Sequence, residues 1–335
     1  MENETIKTTH NMTELKTTFA GLTLRNPIIV SSSSLTNSAE KNLKLEQAGA
    51  GAIVLKSVFE EQIMQEAHHL AAYGSPEGDD YLSTYVRSHA LNEYISLIEQ
   101  TKKVCTIPVI ASINCFSEGE WTDFARTVAA AGADALEINI LSLQTEKNYP
   151  FGSFEQRHID IVSSIKKQVT IPIIVKLGSN LTNPIALINQ LYANGANAVV
   201  LFNRFYQPDI NIDTLSYSAG EVFSHPAELA NGLRWTAIAS AQVPQMDYAI
   251  SGGVHDGRAV VKAILAGATA VEVCSAIYEK GNGIIGDMHA TLSQWMEKQG
   301  YEQLSQFKGS MNATSTGAAN PFERTQFMKY FSSKE

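Results

Sequence analysis

The chain has 335 residues, which is long enough for one large α/β barrel or for two ordinary domains. Apolar residues make up 44% and charged residues 18% of the chain, so a sizeable core forms and wholesale disorder is excluded. The net charge is −9, and an acidic protein of this kind repels nucleic acid and anionic lipid unless it carries a basic patch. The sequence shows no such patch.

The first residues predict a short polar leader over 1–13 that lacks the apolar run of a signal sequence. No stretch of the sequence is long and apolar enough to span a bilayer, so we expect a cytoplasmic location. The three cysteines, Cys105, Cys115 and Cys274, are too scattered for a disulfide framework or an iron–sulfur cluster, and we expect buried thiols. No metal site is predicted, because the histidine pair at 68–69 lacks a second ligand pair at metal spacing.

Eight short β-branched runs follow one another along the chain, separated by segments with helical periodicity. This order predicts βα units around a parallel sheet. In chain order the runs are 27–30, 52–55, 109–113, 135–140, 173–177, 198–202, 248–251 and 270–274.

The phrases that introduce these runs alternate. Proline opens or closely precedes each odd-numbered run, and proline at the start of a strand costs no ladder hydrogen bond. Each even-numbered run follows a Gly-Ala phrase, in which glycine ends a helix in the left-handed conformation. These phrases are Ala48–Gly51, Ala131–Asp134, Asn194–Asn197 and Ala266–Thr269. This alternation of proline and Gly-Ala phrases along eight runs predicts a single-domain (β/α)8 TIM barrel of the α/β class.

The predicted barrel occupies residues 14–300, and a tail follows over 301–335. Two connections exceed ordinary loop length: residues 57–93 after the second strand and 203–226 after the sixth. Both follow the carboxyl ends of strands, where a barrel builds its active site.

Polar side chains stand at the ends of the predicted strands, where a barrel interior otherwise packs Val, Ile and Leu. They are Ser31–Ser33, Lys56 and Ser57, Asn114, Asn139 and Ser142, Lys176, Asn203 and Arg204, Ser251–Gly253, and Cys274 and Ser275. The sequence therefore predicts one polar site at the carboxyl end of the barrel.

A glycine pair after the seventh strand and a Cys-Ser pair after the eighth match the phosphate cradle that barrels often build there. Gly252 and Gly253 form the first pair, and Cys274 and Ser275 form the second. Two tight turns are the other explanation, but the pairing favours a phosphate held by backbone amides. We expect His255, in the same segment, to be exposed.

Two lysines, Lys56 and Lys176, lie in otherwise apolar strands and would direct ammonium groups toward the barrel mouth. Burying them unpaired is expensive, so we expect an anionic partner. A salt bridge to a barrel carboxylate such as Glu137 explains one lysine but not both. A flavin ring that gains negative charge on reduction suits a lysine, with Asn114 and Asn139 as neutral partners for its polar edge.

The order of these residues resembles the dihydroorotate dehydrogenase family of FMN barrels. The resemblance extends from Leu15 to about Gly309. Its motifs are Thr17–Ala20, Asn26-Pro27, Leu55–Ser57, Glu137–Asn139, Val175–Leu177, Ser251–Gly253 and Gly267–Thr269. Each motif is weak alone, but together and in order they are typical of this type of barrel.

The resemblance implies FMN as the cofactor and assigns the residues around it. Ser32 and Ser33 would lie against the flavin, and Lys56, Ser57, Asn114, Asn139 and Lys176 would contact the ring or ribityl chain. Gly252, Gly253, Cys274 and Ser275 would hold the phosphate. Lys56 and Ser142 are the predicted catalytic residues, with Ser142 at the position of the family's base. A serine hydroxyl is a poor base and would need a water or a neighbouring acceptor.

The resemblance also implies oxidation of dihydroorotate to orotate in pyrimidine biosynthesis. The base removes a proton from C5, and a hydride passes from C6 to flavin N5. A second acceptor then reoxidises the flavin, and fumarate, nicotinamide and a flavin/iron–sulfur partner subunit all stay open. The polar leader resembles the soluble classes, so quinone is not expected. We expect a homodimer.

The substrate half of the site departs from the family pattern. Leu143 replaces a proline, and Gln144 replaces an asparagine that binds the substrate carboxylate. The segment 73–81 is acidic, whereas the family has asparagines there that hold the orotate ring. Asn203, Gln144 and Arg204 are therefore the candidates for binding substrate.

Three alternatives remain open. In the first, the chain is an FMN barrel that acts on a different small substrate. In the second, it is a flavin-binding paralogue without turnover, and in the third it is a barrel lyase or isomerase that binds no flavin. In the last case the cradle holds the substrate and Lys176 acts as a Schiff-base or acid–base lysine. Reduction of tRNA uridine is disfavoured by the net charge of −9 and the lack of a basic tail.

Overall fold

The computed structural model describes residues 13–59, 79–114, 121–314 and 321–324. Cys115, the histidine pair at 68–69 and the segment 73–78 lie outside the described residues. In the parts that are described, no helix combines the length and the apolar character needed to cross a membrane.

The strands lie where β-branched residues concentrate, because such side chains pack well on a pleated, buried surface. In chain order they are β1 (Thr17–Phe19), β2 (Leu22–Leu24), β3 (Ile28–Val30), β4 (Ala52–Val54), β5 (Val58–Phe59), β6 (Val109–Asn114), β7 (Ala135–Ile140), β8 (Ile173–Gly178), β9 (Ala198–Asn203), β10 (Pro208–Asn211), β11 (Ser216–Ala219), β12 (Asp247–Ser251) and β13 (Ala270–Val273).

Eight of the described strands form a closed parallel barrel. They pair in the order β3, β4, β6, β7, β8, β9, β12 and β13, and β13 pairs with β3 to close the ring. In the closing pairs Val271 lies opposite Ile28, and Ile53 lies opposite Val109. Each predicted run falls on one of these strands, so the (β/α)8 barrel is confirmed.

Helices connect consecutive barrel strands and cover the outside of the barrel. They are α1 (Ala39–Gln47), α2 (Asp79–Val104), α3 (Trp121–Ala130), α4 (Ser153–Lys166), α5 (Pro184–Ala193), α6 (Leu229–Gln242), α7 (Gly257–Ala266), α8 (Ser275–Lys280) and α9 (Ile284–Gln299). Short 3-10 turns cover Ser34–Thr36, Pro226–Glu228 and Leu304–Gln306.

Local signals set the helix ends. Asp256 Oδ1 accepts a hydrogen bond from Ala259 N at the start of α7, and Asn183 Oδ1 accepts one from Ala186 N at the start of α5. Gly267 ends α7 with a φ of +112°, which a side chain would disfavour. The predicted role of the Gly-Ala phrases is confirmed at all four: Gly49, Gly132, Gly195 and Gly267 have positive φ angles.

Two connections contain more structure than the sequence predicted. The segment 57–93 is not one long loop, because it includes β5 and the first half of α2. The start of α2 was missed because the stretch 79–90 has little apolar periodicity. The segment 203–226 includes an antiparallel hairpin of β10 and β11.

Residues in the barrel interior alternate along each strand, as expected for a period of two. The inward positions nearest the amino ends are small or apolar, for example Ala270 on β13 and Ile174 on β8. Two residues further along, the inward positions become charged: Glu272 and Lys176. The interior therefore changes from an apolar layer to a polar layer toward the carboxyl ends.

The hairpin of β1 and β2 seals the amino end of the barrel. Phe19, Ala20 and Leu24 are buried against the apolar interior layer. The amide of Ala20 donates to Asp247 Oδ2 at 2.9 Å, and Thr269 Oγ1 donates to Asp247 Oδ1 at 3.1 Å. A ligand site must therefore open at the carboxyl end.

The first part of the tail packs onto the barrel. Phe307 is fully buried and contacts the rings of Trp295 and Tyr301, with centroids 4.9 and 5.1 Å away. The amide of Gly309 donates to the Ile264 carbonyl on α7. This segment therefore packs against the carboxyl-terminal parts of α7 and α9.

Truncation of Phe307 tests how much the tail stabilises the barrel. We expect Phe307→Ala to lower the free energy of unfolding by about 3 to 5 kcal/mol, because it leaves a cavity among aromatic rings. Met311→Ala is the matched control, since Met311 is 57% exposed, and should change stability by less than about 0.5 kcal/mol. Urea unfolding monitored by tryptophan fluorescence measures both. Equal losses in the two variants would contradict a docked tail.

Candidate functional site

A cavity of about 170 Å³ opens at the carboxyl end of the barrel. It is lined by Ser31, Ser32, Lys176, Asn203, Arg204, Val222, Ser224, Ser251, Gly252, Gly253, Val254, Glu272, Cys274 and Ser275. A second cavity of about 340 Å³ adjoins it and shares Asn203, Arg204, Ser251 and Gly252. The structure thus brings many of the predicted site residues into one place, and no single stretch of chain supplies them.

Serine and asparagine side chains connect neighbouring strand ends by hydrogen bonds. Ser57 N donates to Ser32 Oγ at 2.8 Å, and Ser57 Oγ lies 2.7 Å from Ser112 Oγ. Asn139 Nδ2 donates to Ser112 Oγ at 3.0 Å, and Asn203 Nδ2 donates to Asn139 Oδ1 at 3.3 Å. We call these five side chains the amide–hydroxyl network. Four of them are predicted site residues, and the hydrogen bonds fix their positions relative to one another.

Ser112 was not predicted to be a site residue from the sequence, although it lies at the centre of this network. It is fully buried, and its backbone amide donates to Tyr94 OH at 2.7 Å. Burial raises the pKa of Tyr94, so its phenol stays protonated and donates to the Ser112 carbonyl. The signal was present: Ser112 lies two positions before Asn114 on β6 and therefore on the same face of the strand.

Lys176 is buried and paired with Glu272, not primarily with Glu137. Its Nζ lies 2.5 Å from Glu272 Oε2 and 3.0 Å from Ser31 Oγ, whereas Glu137 Oε1 is 4.0 Å away. Ser31 Oγ also donates to Glu272 Oε2 at 2.9 Å. The predicted lysine–carboxylate contact is therefore present with a different acid, on β13.

The two carboxyl groups near Lys176 differ in charge state. Burial and the neighbouring Glu272 charge raise the pKa of Glu137 well above its usual range. Burial also opposes ionisation of Glu272, but the Lys176 charge together with hydrogen bonds from Glu137, Lys176 and Ser31 outweighs it and lowers the pKa of Glu272. Lys176 keeps a raised pKa, because the two carboxyl groups outweigh its own burial. Glu137 is therefore the protonated member.

The other predicted flavin contacts lie at the strand ends with fewer contacts. Lys56 is partly exposed after β4, and its amide donates to the Thr36 carbonyl. Asn114 ends β6 opposite Asn139. Ser33 caps the 3-10 turn, where its Oγ accepts from Leu35 N at 3.2 Å. That cap gives Ser33 a local structural role.

The segment after β12 makes a glycine turn that faces the start of α8. Gly252 and Gly253 have φ angles of +90° and +73°. A Cβ on Gly252 would stand in open space, whereas a Cβ on Gly253 would collide with the Leu229 backbone. The Gly253 amide donates to Ser224 Oγ at 3.3 Å, and Ser275 Oγ lies 3.2 Å from the same atom. Ser224 Oγ thus accepts from the Gly253 amide and donates to Ser275 Oγ, which links the two sides of the predicted cradle.

His255 is buried, contrary to the expectation that it is an exposed loop residue. Its Nε2 lies 3.1 Å from Ser224 Oγ, and its Nδ1 lies 3.3 Å from Glu279 Oε2. The imidazole therefore connects a surface carboxylate to the hydroxyl at the cradle. The sequence could not show this, because Ser224, His255 and Glu279 come from three separate connections.

The two cysteines among the described residues, Cys105 and Cys274, do not supply a reactive thiolate. Burial raises the pKa of Cys105 to about 12 and also raises the pKa of Cys274. Cys274 lines the cavity, where its backbone and side chain shape the wall. The expectation of buried thiols is confirmed for Cys105, while Cys274 is partly exposed.

Ser142 and Gln144 lie together beyond the end of β7. Gln144 Nε2 donates to Ser142 Oγ at 3.0 Å, and Asn180 Nδ2 donates to the Ser142 carbonyl at 3.0 Å. Ser142 is partly exposed and Gln144 is exposed. An amide that donates to a hydroxyl does not accept its proton, so these contacts alone do not make Ser142 a base.

Arg204 lines both cavities but is already engaged. Its Nε donates to Glu228 Oε2 at 3.1 Å, and its Nη1 donates to the carbonyls of Glu221 and Val222. The arginine therefore holds the segment that carries Ser224 against the barrel mouth. Its charge is only partly available to a ligand.

The residues present fit a cofactor with a phosphate and a polar-edged ring. The glycine turn and Ser275 line the cavity where an anion would bind, and Lys176 and Asn203 line it where a ring edge would lie, with Asn139 hydrogen-bonded to Asn203. Glu137 Oε2 is one of five buried side-chain atoms without a hydrogen-bond partner among the described residues. These groups fit a flavin cofactor.

Comparison with known proteins finds relatives that match most of this chain. The chain is 28% identical over 315 residues to the dihydroorotate dehydrogenase B (NAD(+)) catalytic subunit of Thermoplasma volcanium, covering 89% of this chain and 98% of that protein. It is 26% identical over 319 residues to the NAD-dependent dihydropyrimidine dehydrogenase subunit PreA of Escherichia coli, covering 89% of this chain and 77% of that protein. A putative dihydroorotate dehydrogenase A (fumarate) of Aeropyrum pernix is 26% identical, covering 90% and 98%.

The family model described as dihydroorotate dehydrogenase matches residues 14–296, which span every strand of the barrel. The match includes the amide–hydroxyl network, the Lys176–Glu272 pair and the glycine turn. On the strength of this match over most of its length, the chain belongs to the dihydroorotate dehydrogenase family.

Proposed function

We propose that this protein is an FMN-dependent dehydrogenase that oxidises the CH–CH bond of a dihydropyrimidine, with dihydroorotate as the first candidate. One observation carries the proposal: the cavity at the barrel mouth is lined by Lys176, the glycine turn, Cys274 and Ser275 together. The names of the relatives, dihydroorotate and dihydropyrimidine dehydrogenases, support the same reaction class. Orotate formation would place the protein in pyrimidine biosynthesis.

The cofactor's parts match separate regions of the site. We assign its phosphate to the amides of Gly252 and Gly253 and to Ser275, and its ring edge to Lys176 and Asn139. A bound flavin supplies a two-electron acceptor that takes a hydride from the substrate. The chain's own residues orient this acceptor, because the amide–hydroxyl network fixes the side chains beneath it.

The charge state of Lys176 argues against a barrel lyase or isomerase with a Schiff-base lysine. A nucleophilic lysine must lose its proton, which requires a lowered pKa. Here the nearby carboxyl groups raise the pKa of Lys176 despite its burial. The ammonium is therefore suited to stabilising negative charge, which is the role a flavin needs.

We assign Ser142 as the residue that receives the proton from the substrate. It follows β7 and lies beside the barrel mouth, but its contacts with Gln144 and Asn180 are to amide donors. The hydroxyl therefore works through a water that carries the proton onward. Lys56, at the end of β4, is the cation that we place beside the reacting edge.

The residues proposed to bind the substrate also support a second candidate substrate, a neutral dihydropyrimidine without a carboxylate. Among the described residues that line the two cavities, the cations are Lys176 and Arg204, and each has a carboxylate partner. Asn203 and Gln144 remain for recognition of ring amides. Dihydrouracil is therefore the substrate to compare with dihydroorotate.

We also propose that the reduced flavin is reoxidised through a partner subunit. The names of two relatives describe them as subunits, one of them a catalytic subunit. The β10–β11 hairpin, close to the mouth, exposes apolar side chains at Ile210, Ile212 and Tyr217. A homodimer is proposed as well, and the hairpin is the candidate contact surface for either assembly.

The cradle assignment predicts a preference for FMN over riboflavin. We expect the protein freed of cofactor to bind FMN about tenfold to a hundredfold more tightly, because charge-assisted hydrogen bonds to phosphate contribute about 1.5 to 3 kcal/mol. Ser275→Ala should weaken FMN binding severalfold without changing riboflavin binding. Ser305→Ala, at an exposed position in the tail, is the matched control. Flavin fluorescence quenching measures each Kd, and equal affinity for the two flavins contradicts the cradle.

Anaerobic titration tests the reaction. We expect dihydroorotate to bleach the flavin band at about 450 nm, and dihydrouracil serves as the comparison substrate. Reduction by dihydrouracil alone would identify the neutral dihydropyrimidine as the substrate. Bound flavin that neither compound reduces would contradict the proposed dehydrogenase activity. Addition of fumarate or NAD+ to the reduced protein then identifies a direct acceptor.

Substitution of Ser142 tests its role as base. We expect Ser142→Ala to slow flavin reduction by a hundredfold or more, in the range of about 10² to 10⁴ found for acid–base groups. Ser142→Cys should restore or exceed the original rate above pH 8, because a thiol ionises at about pH 8.5 and a hydroxyl does not. Stopped-flow absorbance measures both rates. An unchanged rate in Ser142→Ala places the base elsewhere.

A further inference from the structure

Two carboxyl groups face one ammonium inside the barrel. Glu272 Oε2 lies 2.5 Å and Glu137 Oε1 lies 4.0 Å from Lys176 Nζ, and their side chains are 1%, 0% and 6% exposed respectively. They come from three strands, β13, β7 and β8. We refer to these residues as the acid–lysine triad.

The triad must hold a proton to be neutral. With both carboxyl groups ionised it would carry a net charge of −1 in a dry environment, which is costly. Two nearby carboxyl groups that cannot both ionise share one proton. The pKa of Glu137 is raised and that of Glu272 is lowered, so the proton resides on Glu137.

The other titratable groups beside the triad do not alter this balance. Burial raises the pKa of the Cys274 thiol, which follows β13, and the pKa of the Tyr94 phenol, which packs from α2. Both stay protonated and neutral. Ser31 donates to Glu272 but carries no charge. The triad is therefore neutral as a unit.

We propose that Glu272 neutralises the Lys176 ammonium and so keeps the reduction potential of the flavin low. Glu137 can take over this role when Glu272 is replaced. The inference rests on the proposed function, because it assumes that the ring edge meets Lys176. A reduced flavin carries negative charge at that edge, and a free ammonium there would stabilise it. An ammonium already paired at 2.5 Å stabilises it less.

The two acids are not equivalent, and this makes the proposal testable. Glu137→Gln replaces a protonated acid with a neutral amide of the same shape and leaves the Lys176–Glu272 pair intact. Glu272→Gln removes the closer counterion, so Glu137 loses its proton and pairs from 4.0 Å instead. Only the double variant leaves the ammonium without a counterion.

The experiment uses protein loaded with FMN and two readouts that do not require turnover. Sulfite donates its electron pair to flavin N5, forms an N–S bond and leaves negative charge on the ring, so its Kd reports how well the site stabilises that charge. Anaerobic reduction with dithionite against a reference dye reports the potential. Neither readout depends on the identity of the substrate.

We expect the sulfite Kd to stay within twofold of the original in Glu137→Gln and to fall severalfold in Glu272→Gln. In the double variant it should fall at least tenfold, with the potential higher by about 30 mV, the equivalent of tenfold for a two-electron couple. Adding Lys176→Gln to the double variant should return the sulfite Kd to the original value or above. This last variant separates charge from packing.

Equal sulfite affinity and potential in all these variants would overturn the inference. The double variant leaves a buried ammonium unpaired, which is strongly destabilising. If it does not fold, the two single variants decide the matter, because each keeps the triad neutral. Glu137→Gln and Glu272→Gln with the same sulfite Kd then contradict the proposal. Original protein that binds no flavin overturns the proposed function as well, whereas flavin with unchanged potentials overturns only this inference.

Discussion

The chemistry of the site depends on one buried ammonium and its counterion. Lys176 points into a barrel interior that is apolar at its amino end, and Glu272 meets it from β13 across the barrel. Without that partner, the desolvation of the lysine would be uncompensated. The pair therefore stabilises the polar layer of the barrel and also determines how much positive charge the cavity presents to a ligand.

A second set of contacts surrounds this pair. Hydroxyl and amide side chains link the ends of β3, β4, β6, β7 and β9, so that their positions depend on one another. Buried polar groups of this kind are stable only when each finds a partner. Ser112 takes part in two of these four bonds and is itself held by Tyr94 from α2. A set of side chains whose positions are fixed by hydrogen bonds suits a cofactor whose ring must be oriented.

The residues proposed to hold the cofactor and those proposed to bind the substrate differ in how closely they resemble the family motifs. The glycine turn, Lys176 and Asn139 belong to motifs that resemble the family's, whereas Gln144 contacts Ser142 and Arg204 is bound to Glu228. Relatives named for dihydroorotate and for dihydropyrimidine oxidation have similar identity to this chain. Both the geometry and the comparisons therefore support the reaction class more strongly than one substrate.

The sequence by itself determined the eight barrel strands and the polar positions at their ends, because β-branched runs, Pro and Gly-Ala phrases act through local backbone preferences. It did not identify Glu272 as the partner of Lys176, the burial of His255 or the start of α2. Glu272 is 96 residues from Lys176 along the chain and meets it only when the barrel closes between β13 and β3. Local patterns report which face of a strand a residue occupies. Only the closed tertiary structure decides which side chains from different strands share the interior, because that depends on the register and curvature of the whole sheet.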